Sequence, residues 1–91
     1  IDTETLFKNI SNCSGDSFAL KNHGLKSIVQ DNFPNPAFSV KYAQKDLSYA
    51  LEMANQMGLS TPGSTTINNL FSKAIDEGYG DLYFPVIKKI L

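Results

Sequence analysis

From Phe38 to Gly58 the apolar residues Val40, Ala43, Leu47, Ala50, Ala54 and Met57 return at alternating three- and four-residue steps. That period is one face of an α-helix and is incompatible with the alternation of a strand. Ser39 stands where a hydroxyl can accept a free amide of the first turn. Gly58 stands where a helix ends by a left-handed residue. The stretch therefore predicts one long amphipathic helix, around which the remaining segments must pack.

Those segments carry helical punctuation too. Asp2 is placed to cap a first helix reaching about Cys13, with Leu6, Phe7 and Ile10 toward one side and Glu4 near the positive end. Ser17 caps a second, which Gly24 is expected to interrupt before Leu25 to Gln30 continue it. Asp31-Asn32-Phe33-Pro34-Asn35-Pro36 is a connector, since its prolines cannot continue a helix. Thr61 with Pro62 opens another helix whose apolar side is Ile67, Leu70, Phe71, Ala74 and Ile75, ending at Gly78. Val86, Ile87, Ile90 and Leu91 mark a last one, with Lys88 and Lys89 near its negative end. No alternating run marks a strand. The expected fold is all-α, a small bundle of about four to six helices.

Asp46 departs from the pattern. At about 100° per residue it projects beside Tyr42, Tyr49, Met53 and Met57, while Lys41, Lys45, Ser48 and Glu52 share the polar arc. A carboxylate among aromatic and thioether groups is costly unless paired. Either a partner reaches it from elsewhere in the fold, a ligand or further sequence, or it sits at the edge of the face in water.

Composition excludes several function classes. A net charge of −1 with dispersed lysines gives no footprint for nucleic acid or an anionic membrane. No apolar run approaches the roughly 20 residues of a membrane span. The single cysteine, Cys13, cannot form an internal disulfide, which predicts a reducing, cytoplasmic setting. It has no close His or acid and reads as an idle thiol. His23 reads as a surface or helix-end histidine, and no spacing of Cys, His, Asp and Glu predicts a metal site. The turn Ser14-Gly15-Asp16-Ser17 could hold an anion at a helix start, although such turns mostly serve as plain caps.

The order Pro36-Ala37-Phe38, then Lys45-Asp46-Leu47, Ala50, Ala54, Gly58 and Pro62, resembles the C-terminal helical domain of the β-hydroxyacid dehydrogenases. These 6-phosphogluconate-dehydrogenase-like enzymes include 3-hydroxyisobutyrate dehydrogenase, tartronate-semialdehyde reductase and the glyoxylate/succinic semialdehyde reductases. Ser14-Gly15-Asp16-Ser17-Phe18-Ala19-Leu20 resembles the family's Ser-Gly-x-Ser-Trp-Ala-Leu segment, with Phe18 for tryptophan. Gly78-Tyr79-Gly80-Asp81 resembles its Gly-x-Gly-Asp turn, followed by Tyr83-Phe84-Pro85 where Asp-Phe-Ser is commoner.

The resemblance implies that residues 1–91 are part of the C-terminal domain of an NAD- or NADP-dependent oxidoreductase acting on a small β-hydroxyacid or its semialdehyde. It implies that Lys45 and Phe38 face the cofactor and that Asp46 supports the catalytic network. Ser14 and Gly15 would line the substrate side. The chain opens at Ile1 without a methionine. The Rossmann domain, the first long helix and the catalytic lysine are expected to precede it, so residues 1–91 alone are expected to be inactive. A homo-oligomer is expected from the family. The competing expectation is a non-enzymatic helical module for dimerisation or partner binding.

Overall fold

Helix α1, Thr3–Ser11, begins where Asp2 accepts the Thr5 amide at 2.9 Å, with the Thr5 hydroxyl on the same oxygen at 2.8 Å. A computed structural model describes residues 1–91, which divide into two compact units, 1–33 and 34–91. Both are helical, and the only extended pairing is an isolated antiparallel bridge between Ser39 and Tyr83.

In the first unit, α1 is followed by the Ser14–Ser17 turn and a π-helix, Leu20–Ile28. Ser17 caps this segment as expected, accepting the Leu20 amide at 3.0 Å. The interruption expected at Gly24 does not occur. Gly24 lies within the continuous helix, where Val29 N donates to Gly24 O across the wide π spacing at 3.0 Å. The glycine answers to packing instead. A Cβ there would lie 2.5 and 2.8 Å from two atoms of the Phe7 ring, so its absence lets α1 lie against the π-helix. The turn after the π-helix closes at Asp31, whose φ of 51° is a left-handed value that aspartate tolerates.

The second unit holds α2, Val40–Gln56, α3, Pro62–Asp76, and a closing 3₁₀ helix, Phe84–Ile90. The expected caps of α2 are both present: Ser39 Oγ accepts the Tyr42 amide at 3.2 Å, and Gly58 has a φ of 69°. Gly78 closes α3 in the same manner, with a φ of 91°. Pro62 opens α3, but the Thr61 side chain makes no capping bond. The last helix is 3₁₀ rather than α, and Leu91, expected on its apolar side, lies beyond its end and is exposed.

The core of this unit is Val40, Phe71, Ala74, Val86 and Ile90, drawn from α2, α3 and the 3₁₀ helix. α2 packs on α3 through Ala43, Gln44, Leu47, Leu51 and Ala54, whose burial is partial. Gln44 Nε2 donates to Ser72 Oγ at 2.8 Å and to Asn68 Oδ1 at 3.3 Å, so a polar clasp sits in the interface. The early part of α2 thus meets the late part of α3, and the two helices run antiparallel. Lys73 Nζ donates to Ile90 O at 3.3 Å and fastens α3 to the end of the closing helix.

Candidate functional site

The start of α2 is held by the closing segment. Val40 N donates to Leu82 O at 3.0 Å and Lys41 N to Gly80 O at 3.1 Å, while Ser39 takes the Tyr42 amide. Phe84 N donates to Phe38 O at 3.0 Å, and Tyr83 N to Pro34 O at 3.1 Å. The first-turn amides of α2 are therefore occupied by the protein's own oxygens. This helix end does not offer the free amides from which anion cradles are built. Any anion recognised along α2 must be met by side chains.

Two lysines stand on this part of the helix, in different situations. Lys41 Nζ is 2.9 Å from Asp81 Oδ1, a closed ion pair whose stem passes beside Gly80. Lys45 Nζ lies 5.0 Å from the centroid of the Tyr42 ring and 3.9 Å from Asp46 Oδ1. The first distance is within cation–π range, and the second is at the outer limit of an ion pair. The Tyr42 ring is stacked on Phe38 with centroids 6.4 Å apart, and Phe38 meets Phe84 edge to face at 6.0 Å. Phe38, Tyr42, Lys45 and Asp46 thus form one row along the exposed side of α2.

The environment of Asp46 differs from the one read from its helical position. Its side chain is 60% exposed, and its neighbours Tyr42, Tyr49, Met53 and Met57 are 58–73% exposed. The arc that carries the tyrosines and methionines of α2 is exposed, and the arc of Ala43, Leu47, Leu51 and Ala54 is the half-buried one. Lys45, on the polar arc of the wheel, curls toward Tyr42 and Asp46. The carboxylate sits in water with a cation at the margin, so burial does not force a partner on it. A helical wheel shows which residues share an arc, but not which arc the rest of the fold will cover.

Ser14 and Gly15 lie in the first unit, and both are exposed. Gly15 closes the turn after α1, where a Cβ would lie 3.0 Å from Ile10 Cγ2, a tight contact. In the same turn Asp16 pairs with Lys21 at 2.7 Å. Cys13 is exposed and free, His23 meets Phe18 edge to face at 6.0 Å, and no group of acidic, His and Cys side chains could hold a metal ion. No helix is long and apolar enough to cross a membrane. Tyr42, which joins Phe38 to Lys45, was singled out in the sequence only as a neighbour of Asp46. The signal was available in its spacing, four residues after Phe38 and three before Lys45, which puts all three on adjoining turns.

An all-helical chain with these motifs has close structural counterparts among dehydrogenases. The 3-hydroxyisobutyrate dehydrogenase of Salmonella typhimurium superposes with a TM-score of 0.90 at 22% identity, over 100% of this chain and 31% of that one. The Mycobacterium tuberculosis 3-hydroxyisobutyrate dehydrogenase with L-serine gives 0.77 at 23% identity, over 96% of this chain and 32% of that one. These likenesses establish the fold, that of the helical domain of such enzymes.

Residues 1–89 match the family described as NAD-binding of NADP-dependent 3-hydroxyisobutyrate dehydrogenase, and the chain belongs to that family. The glyoxylate/succinic semialdehyde reductase 1 of Arabidopsis thaliana is 36% identical over 61 residues, which is 67% of this chain and 21% of that protein. The uncharacterized oxidoreductase YkwC of Bacillus subtilis (strain 168) is 33% identical over 78 residues, 86% of this chain and 26% of that protein. The chain thus spans about a quarter of the length of these curated relatives.

Proposed function

We propose that residues 1–91 are the C-terminal helical part of an NAD(P)-dependent 3-hydroxyacid dehydrogenase. When bound, the nicotinamide exchanges a hydride with a small β-hydroxyacid or its semialdehyde. The observation that carries this reading is the exposed row Phe38–Tyr42–Lys45–Asp46 in a chain that belongs to an NAD-binding family. Its components fit the group. An exposed ammonium can meet phosphate or ribose oxygens, and aromatic faces can meet the flat surface of a base.

In this reading Lys45 and Phe38 contact the dinucleotide, Asp46 orients polar groups near the reacting carbon, and Ser14 and Gly15 face the substrate. Closure of the helical part over the reactants excludes water. The general acid lies outside residues 1–91, which alone do not turn over substrate. The enzyme works as a cytoplasmic homo-oligomer. The exposed Tyr49, Met53, Met57 and Leu59 also support a second reading, a helical module for self-association or partner binding without catalysis.

The two readings part in the full-length protein. Lys45→Ala is expected to raise Kd and KM for NAD(P)H well beyond any change in KM for the carbonyl substrate. Asp46→Ala is expected to lose turnover while remaining folded. Equal effects of Lys45→Ala on both ligands, or none on either, refute the assignment. A panel of glyoxylate, succinic semialdehyde, tartronate semialdehyde and 3-hydroxyisobutyrate then defines the acid.

A further inference from the structure

We propose that Tyr42 is a positioning residue for the dinucleotide, acting through Lys45: its ring holds the ammonium on the exposed side of α2 with its charge still available. This rests on the reading of Lys45 given above, and the comparison of the two lysines of α2 carries it. Lys41 is drawn into an ion pair at 2.9 Å, so one of its donors and much of its charge are already met by Asp81. Lys45 rests 5.0 Å from the centre of a neutral ring, and its only carboxylate neighbour stands off at 3.9 Å. A π face attracts a cation without occupying its three N–H donors in strong bonds, so an anion can still be met.

A lysine stem has much rotamer freedom to lose on binding, and a ring that already restricts it lowers that cost. The ring is itself restrained. The Tyr42 amide is fixed by Ser39 Oγ at 3.2 Å, its face is stacked on Phe38, and Phe38 is backed by Phe84, which meets Tyr83 at 5.3 Å. A chain of aromatic contacts therefore runs from the closing segment to the ammonium, with Tyr42 as its last link.

The test is made in the full-length protein by calorimetric titration with NADPH and NADH, alongside thermal unfolding of each variant. Tyr42→Phe keeps the face and is expected to leave Kd within about 1.5-fold of the parent. Tyr42→Leu removes the face and is expected to raise Kd about two- to fivefold, with KM for the carbonyl substrate moving less. In a Lys45→Ala background the same change is expected to have almost no further effect, because the two residues act as one unit. Tyr42→Gln, also free of a π face, gives the same reading should the leucine variant aggregate.

A normal Kd in Tyr42→Leu with a raised one in Lys45→Ala overturns the role of Tyr42 and leaves the assignment of Lys45 standing. Equal losses in the phenylalanine and leucine variants would show that the hydroxyl matters, and independent effects in the double variant would show that Tyr42 acts by another route; either overturns the proposal. An unchanged Kd in Lys45→Ala removes both readings together.

Discussion

Gly24→Ala tests the packing argument for the first unit, because two general rules give opposite signs there. Alanine is the better helix former by about 0.8–1.0 kcal/mol, so an exposed helical glycine would be improved by the change. At Gly24 the new methyl would lie 2.5 Å from Phe7 Cε1 and 2.8 Å from Cδ1. Carbon atoms settle at about 3.5–4.0 Å, so the ring must withdraw by roughly an ångström. Overpacking of this kind costs about 1–3 kcal/mol. The propensity gain offsets part of that and leaves a net loss of about 1 kcal/mol, or roughly 4–8 °C in Tm for a chain of this size.

Circular dichroism melts of the parent, Gly24→Ala, Phe7→Leu and the double variant close a cycle. Phe7→Leu vacates the space that the methyl needs, so the double variant is expected to be more stable than the sum of the single losses by about 1 kcal/mol. A rise in Tm for Gly24→Ala alone, or simple additivity in the cycle, would refute the claim that this glycine is there to admit the ring.

Two further outcomes follow from the caps. The Thr5 backbone amide and then its hydroxyl hold the Asp2 carboxyl below its ordinary 3.8. The stabilisation from ionised Asp2 is therefore complete above pH 3.8 and is lost as the pH falls through the lowered folded value. Asp2→Asn can cap without titrating, so its stability should fall less in acid than the parent's, as measured by urea midpoints across that range; parallel acid profiles would remove the cap from the account. Ser39→Ala should destabilise the second unit by about 1 kcal/mol, and Ser39→Gly by only a few tenths, in the same urea assay. Equal losses would mean that burial of Ser39, not its bond to the Tyr42 amide, is what matters.

Helix α2 was legible in the sequence because three independent signals agree along it: a helical period, a serine cap and a left-handed glycine. Motif order singles out Phe38 and Lys45, and the helical wheel singles out Asp46; the roles of Lys45 and Asp46 at a cofactor site are what the substitutions above test. The covered side of α2 was legible in part: Val40, Ala43, Leu47 and Ala54 of the apolar period are buried or half-buried, whereas Ala50 and Met57 of the same period are exposed. Tyr42, Tyr49, Met53 and Met57 stay exposed, while Ala43, Leu47 and Ala54 lie on the half-buried side with Gln44, which reaches Asn68 and Ser72 on α3. The role of Gly24 is not legible from its neighbours in sequence. Its role is to admit a ring from α1, a contact between segments distant in sequence that leaves no local mark.

The physical weight therefore moves from Asp46 to its neighbour. A carboxylate 60% exposed is stable in water with or without a partner, so its presence makes no demand on the rest of the fold. Lys45 is the more informative residue. On the same helix, one turn earlier, Lys41 has been closed into a salt bridge by the Gly80–Asp81 turn. Lys45 is left leaning on a ring that the closing segment holds in place through Phe84 and Phe38. A surface lysine needs no such support for solubility. A cation resting on a ring is also common on surfaces that bind nothing, so the substitution of Tyr42, more than that of Asp46, separates the proposed cofactor contact from an ordinary solvated face.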